Sequence, residues 1–314
     1  MTTRSGDGGK SKIESHPNAT HPQLCIKERI WDVPAGVSPV AGLVIIHGGN
    51  WHSGWFGELG DLLSSDAHRI RVSAPDLPAH GLSDDVVPPY RAYVPDFGEH
   101  ANEVCAAVNR ARESLRDEAC PIFLLGESMG GTVCLHSLAM NDEETLRVDG
   151  LLLCGAVLRP TGEVLPPPMV VRALKLVSWL LPTMRVPGST IGGKTFEEAF
   201  GDPTIGPIAR EDPLVTEDSP PRIGYGLSFI SVVDMLTKDA SEKVHVKSLF
   251  MMHYEEDCRA MYAPTKALVD SLKTQDKVMV TLEGTAHQAF QDTPEKSKEH
   301  GERVARFITD RGIK

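Results

Sequence analysis

Short apolar runs recur along the chain at 24–31, 42–47, 70–74, 121–126, 148–154, 246–252 and 277–282. Their length and enrichment in Val, Ile and Leu predict strands, several of them buried on both faces. Between them lie segments of helical period. After Asp96, the residues Phe97, Ala101, Val104, Val108, Ala111 and Leu115 fall on one stripe with charged positions opposite, which predicts a helix packed on a sheet. Strands that alternate with such helices imply an α/β chain whose central sheet is mostly parallel and covered by helices on both faces.

The alternation breaks between about Ala156 and Lys243, where prolines cluster (among them Pro160, Pro166, Pro167, Pro168, Pro182 and Pro187) before strands resume at 246. An insertion between two sheet strands rises over the strand ends, where loops build sites, so residues 156–243 are expected to form a helical lid. Within it, Met169 to Met184 is apolar almost all round, leaving Arg172, Lys175 and Ser178 as a narrow polar edge. Such a helix suits packing within the lid, the wall of an acyl tunnel with Leu174 and Leu181 in its lining, or weak peripheral contact with a membrane surface. The first 23 residues are polar and lack a signal peptide's apolar core, and are expected to be a disordered arm ahead of a single domain spanning 24–314.

A chain of 314 residues that is 41% hydrophobic can bury one large core. Its net charge of -11, with no basic cluster, argues against a nucleic-acid partner. The six cysteines form no Cys-x-x-Cys pair, which fits a reducing, cytoplasmic setting. No apolar run reaches the ~18 residues of a spanning helix. Twelve histidines occur without tight ligand spacing, so neither a metal nor another cofactor is expected.

Chemistry concentrates at Pro121-Ile-Phe-Leu-Leu-Gly126-Glu-Ser128-Met-Gly130-Gly131, a strand that ends abruptly in Gly-x-Ser-x-Gly. This is the pattern of a nucleophile elbow, in which a turn too tight for side chains presents a serine hydroxyl at the start of a helix. Such a serine needs a base, an acid that orients the base, and N–H donors for an oxyanion, in the chain order Ser, Asp/Glu, His. The order is present. After the run at 246–252 come the acids Glu255, Glu256 and Asp257, and after the run at 277–282 comes His287. Upstream, a strand enters His47-Gly48-Gly49-Asn50, where a backbone N–H, from Gly49 or alternatively Asn50, can join that of Met129 to form an oxyanion hole. His47, His80, Asp76 and Ser83 are expected to organise loops, and His253 to be loop structure.

These motifs together resemble the monoacylglycerol lipase family of α/β-hydrolases, including plant-type relatives such as caffeoyl shikimate esterase and lysophospholipase-like proteins. The resemblance rests on His47-Gly48 with His52-Ser53-Gly54, on Asp76-Leu-Pro-Ala-His80-Gly81-Leu-Ser83, on the elbow, on Pro220-Pro-Arg222-Ile in the lid, and on the Asp257 and His287 loops. It implies an α/β-hydrolase fold with an inserted lid, no cofactor, and ester hydrolysis through an acyl-enzyme. The family's spacing selects Asp257 from the three acids, giving Ser128, His287 and Asp257 as nucleophile, base and orienting acid. Human-type members carry a histidine before the elbow serine and an arginine in the first loop, where this chain has Glu127 and Trp55. Trp55 is therefore expected to line the alcohol side of the pocket or, alternatively, to pack under the lid away from substrate. The resemblance points to monoacylglycerol or lysophospholipid as substrate, with bulky alcohol esters such as caffeoyl shikimate, or slow turnover by a ligand receptor, as alternatives.

Overall fold

The computed structural model describes residues 10–312 apart from 116, 118, 143, 144, 162–167, 186–195 and 217–220. Eight strands among the described residues form one sheet: β1 (Lys12–Pro17), β2 (Cys25–Trp31), β3 (Ala41–Ile46), β4 (Ile70–Pro75), β5 (Ile122–Glu127), β6 (Gly150–Cys154), β7 (Ser248–Tyr254) and β8 (Asp276–Leu282). Their order across the sheet is β1-β2-β4-β3-β5-β6-β7-β8. Every neighbouring pair is parallel except those made by β2, which runs against both β1 and β4.

The period-two alternation of strands sorts the core into two layers. On one side Val44, Ile46, Leu124, Leu151, Leu153, Leu249 and Met251 meet α2 (Gly98–Ser114), α3 (Met129–Met140) and α7 (Tyr262–Ser271). On the other, Leu43, Ile45, Phe123, Leu125, Leu152, Phe250 and Met252 meet α1 (Gly57–Leu63) and α8 (Pro294–Gly312). Successive side chains of one strand thus feed opposite layers, which is why the central strands read as continuous apolar runs. The α2 stripe is buried from Phe97 to Leu115 as its spacing predicts.

One boundary of the sequence reading is corrected. The arm expected to be disordered through residue 23 contains β1, whose Lys12 pairs with Ile30 and Pro17 with Cys25; residues 1–9 lie outside the described set. Its sequence, Lys-Ile-Glu-Ser-His-Pro, offers no apolar face because it is an edge strand, where charges and proline discourage further pairing.

Between β6 and β7 the chain leaves the sheet to build the lid from α4 (Pro168–Leu180), a 3-10 turn at Phe196–Ala199, α5 (Ile205–Glu211) and α6 (Ile223–Lys243). Helix α6 inserts Val232, Leu236 and Ala240 into the core beside α3 and supports α4. No helix of the described residues is long and apolar enough to cross a membrane.

Candidate active site

Strand β5 ends at Glu127; Ser128 follows, held at φ 56° and ψ -124°, and α3 begins at the next residue. The elbow closes only because its flanks lack side chains. A Cβ on Gly126 would lie 2.5 Å from the carbonyl oxygen of Gly130, and one on Gly130 would lie 2.1 Å from that of Ile46. The Ser128 N–H donates to the Cys154 carbonyl (2.9 Å), and its own carbonyl accepts from Gly131 and Val157 N–H groups (3.0 and 3.2 Å). These bonds fix a strained residue from both neighbouring elements.

The three residues expected to act together meet here. His287 Nε2 lies 2.7 Å from Ser128 Oγ, and His287 Nδ1 lies 2.9 Å from Asp257 Oδ2. Asp257 Oδ1 accepts the backbone N–H groups of Arg259 and Ala260 at 2.7 and 2.9 Å. Burial alone would raise this carboxyl, but the positive field of His287 and then the hydrogen bond from His253 hold it below the usual carboxylate range. Asp257 is buried, whereas Glu255 and Glu256 are exposed, so of the three consecutive acids only one faces the histidine. A carboxylate that stays charged fixes the Nδ1–H tautomer of His287 and leaves Nε2 free to accept the serine proton.

The loop after β3 runs beside the elbow. A Cβ on Gly48 would fall 3.0 Å from Ser128 Cβ, and one on Gly49 would fall 3.4 Å from Met129 Sδ. Met129 is the first residue of α3, where a backbone N–H has no carbonyl one turn earlier to donate to. Asn50 follows in the left-handed region at φ 61°. His47 is fully buried and neutral: Nδ1 donates to the Gly48 carbonyl (2.7 Å), Nε2 accepts the Leu77 N–H (2.9 Å), and burial lowers its pKa to about 4. Asp76 accepts the N–H groups of Ser53 and Leu82 at 2.7 and 2.8 Å, while Ser83 Oγ donates to the Asp76 carbonyl. All three organise loops, as their positions suggest.

Three placements go beyond the sequence reading. Trp55, for which the sequence leaves open the alcohol side of the pocket or packing under the lid, is buried beneath the lid; it stacks on Trp51 with centroids 4.6 Å apart and donates its indole N–H to Asp212 (3.1 Å). Its neighbours Phe200, Ile205 and Ala209 form a small apolar cluster that absorbs the indole face. His253, expected to be loop structure, lies on β7 with Nε2 3.2 Å from Asp257 Oδ2 and 3.0 Å from the Ala260 carbonyl, so it supports the acid. Glu127, read only as a family variation, is completely buried, and that burial raises its carboxyl to about 8 against a hydrogen bond from the Phe290 backbone. A four-residue spacing from Asp257 was the only sequence signal for His253. Of the lid residues proposed for the pocket, Leu174 is half-buried on α4, and Leu181, just beyond the helix, is exposed. Among the described residues no group of three His, Cys, Asp or Glu side chains is arranged to hold a metal ion.

Residues 37–294 match the family described as serine aminopeptidase, S33. The chain belongs to this family. It is 26% identical to mouse monoglyceride lipase over 85% of the chain and 81% of the relative, and 27% identical to caffeoylshikimate esterase of Arabidopsis thaliana over 73% and 65%. Among solved structures, a soluble variant of monoglyceride lipase from Saccharomyces cerevisiae superposes with a TM-score of 0.80 at 16% identity, covering 98% of this chain and 97% of the other. The fold is that of the α/β-hydrolases.

Proposed function

We propose that this protein is a serine hydrolase that cleaves carboxylic esters of lipids through an acyl-enzyme, with monoacylglycerol or lysophospholipid as substrate. The observation that carries the reading is the continuous relay from Ser128 Oγ through His287 to Asp257, set at an elbow beside the Gly48-Gly49 loop. In the first half-reaction His287 Nε2 removes the proton as Ser128 Oγ attacks the ester carbonyl. The oxyanion is held by the N–H groups of Gly49 and Met129, and His287 then protonates the departing alcohol. In the second, water attacks the acyl carbonyl as the same nitrogen takes its proton; the bond to Ser128 Oγ then breaks, His287 returns that proton to the serine, and the fatty acid leaves.

The lid supports a lipid substrate. Helix α4 exposes Leu176 (77%), Trp179 (85%) and Leu180 (70%) to solvent, with Arg172 and Lys175 exposed beside them. An apolar face of this size with flanking cations suits weak, salt-sensitive attachment to a lipid surface, while the overall charge of -11 opposes anchoring to an anionic one. The similarity to monoglyceride lipases over most of the chain supports the same substrate class.

The test is a panel of monoacylglycerols, lysophospholipids, a caffeoyl ester and aminoacyl anilides, scored by released acid or amine for the wild type and Ser128→Ala. Hydrolysis of lipid esters that disappears in Ser128→Ala is expected. Preference for the caffeoyl ester would move the alcohol specificity to the plant-type esterase, preference for the anilides would favour peptidase activity, and lipid-ester turnover that survives in Ser128→Ala would overturn the nucleophile.

A further inference from the structure

We infer that the lid segment Asp212–Thr216 is a strut that sets the conformation of the oxyanion loop, so that lid position and oxyanion stabilisation are linked. The inference rests on the reading above in one respect, that a backbone N–H of the Gly49 turn holds the oxyanion.

Asp212 follows α5 and points its carboxylate down onto the loop that leaves the oxyanion turn. Its Oδ2 lies 2.9 Å from His52 Nε2 and accepts the Trp55 indole N–H at 3.1 Å, while its Oδ1 caps the Leu214 N–H at 2.9 Å. His52 Nδ1 accepts the Gly54 N–H (3.2 Å), which fixes a tautomer whose Nε2–H donates to Asp212. Four residues further along the lid, the Thr216 N–H donates to the Asn50 carbonyl (3.2 Å) and its hydroxyl donates to Asn50 Oδ1 (2.9 Å). Asn50 is the residue that adopts a left-handed conformation directly after Gly49. Asparagine tolerates that region better than other side chains but still prefers extended backbone, so partners on both its carbonyl and its amide bias it toward the turn observed.

Elsewhere the same loop is held by hydrogen bonds from the body and by apolar contacts with the lid, Trp51 against Phe200 among them. The Ser53 N–H is held by Asp76, and the Trp55 carbonyl accepts from Gln291 Nε2 (3.0 Å) on the segment that follows His287. The lid therefore supplies the contacts nearest the oxyanion turn. His52 and Asp212 side chains are 6% and 7% exposed, so their pairing is shielded from solvent and is stronger than a surface ion pair. If the lid end lifted, Asn50 would lose both partners and the adjoining Gly49 N–H would lose its fixed direction. A donor displaced by about 1 Å weakens catalysis far more than it weakens ground-state binding.

Four variants test this: Asp212→Ala, Asp212→Asn, Thr216→Val and Thr216→Ser. Each is assayed for kcat per titrated active site and KM on a soluble short-chain ester, for affinity toward an aryl trifluoromethyl ketone, and for thermal midpoint. The ketone forms a hemiketal oxyanion on Ser128 and so reports the hole directly. Asp212→Ala and Thr216→Val are expected to lose about 10- to 100-fold in kcat and a similar factor in ketone affinity, with KM nearly unchanged. Thr216→Ser, which keeps the hydroxyl, should recover most of the loss, and Asp212→Asn, which keeps an acceptor for the indole, should fall between. A lowered midpoint with kcat per site and ketone affinity unchanged would overturn the strut, as would a rise in KM alone. If Asp212→Ala does not fold, the Thr216 pair decides. Ketone binding that persists in Ser128→Ala would instead refute the active-site assignment on which the inference stands.

Discussion

Asp257 owes its role to its neighbours. Its two backbone donors, His287 and His253 surround a carboxylate that, buried without them, would take up a proton. His287→Ala is expected to reduce kcat by roughly 10⁴- to 10⁶-fold and Asp257→Asn by somewhat less, because the members of such a relay act as a unit. Single-turnover acylation with an activated ester measures both. His253→Leu, which removes a supporting partner without touching the nucleophile, should cost kcat only about tenfold, at unchanged KM. Glu127 is a separate case. Its carboxyl is raised to about 8 by burial, so between the ordinary glutamate value and pH 8 the folded protein keeps a proton that the unfolded chain releases. Stability from this group is therefore fully present below the ordinary glutamate value and is lost as pH rises through about 8, at about 1.4 kcal/mol per pH unit. Glu127→Gln should gain on the wild type by a few kcal/mol between pH 5.5 and 8.5 in denaturant titrations. Parallel curves for the two proteins would show that Glu127 is ionised throughout.

At the scale of elements, what the sequence revealed depended on whether a segment's partners lie along one repeating face. Of the seven predicted strands, the central ones form because each alternates between two apolar layers, and α2 forms because its stripe is regular. The elbow was legible for the same reason: a buried strand and a helix leave little room for its turn. Strand β1 was not, because its pairing is carried by backbone groups and its side chains are polar. The strut was hidden too, since Asp212 and His52 are 160 positions apart and neither belongs to a periodic pattern. Helix α4 was expected from its apolar run, but the structure decides which face is free. Leu174 is half-buried, so Leu176, Trp179 and Leu181 are the positions through which a lipid surface would act. Changing Leu176 and Trp179 together to Ser should lower turnover of aggregated long-chain monoacylglycerol about tenfold or more, since each large apolar side chain gains about 1.5–3 kcal/mol on burial. Hydrolysis of a soluble short-chain ester should stay within about twofold. Vesicle co-sedimentation at low and high salt checks the contact, and equal losses on both substrates would show that α4 serves only as lid core.

For the whole molecule, the balance of buried titratable groups predicts how the fold responds to acid. His47, His80 and His100 form a stack between the sheet and α2, with ring centroids 5.2 and 5.5 Å apart. Burial lowers His47 to about 4 and His100 to about 3 and holds His80 well below the ordinary histidine value, with repulsion from His52 added at His47, from His47 at His100, and from both His47 and His100 at His80. Asp76 and the Gly48 carbonyl favour protonation of His47, and the Pro78 carbonyl does so for His80, but neither overcomes the loss of solvent. His136 and His300 shift the same way. As pH falls below about 6.5 the unfolded chain binds these protons and the native state does not, so the stability present above that value is lost as pH drops toward the depressed values. Three such groups give a slope of about 4 kcal/mol per pH unit, which Glu127, binding its proton in the native state, opposes with about 1.4 down to its ordinary value. Above pH 6.5 the histidines contribute no slope and Glu127 lowers stability, so the maximum is expected near pH 6.5. Urea unfolding at pH 5, 6.5 and 8 should show net uptake of at least two protons on the acid side. His100→Leu should reduce that uptake by about one, because neither ring nitrogen of His100 has a hydrogen-bond partner to lose. An acid slope that is flat, or unchanged in His100→Leu, would mean that the stack admits protons without unfolding.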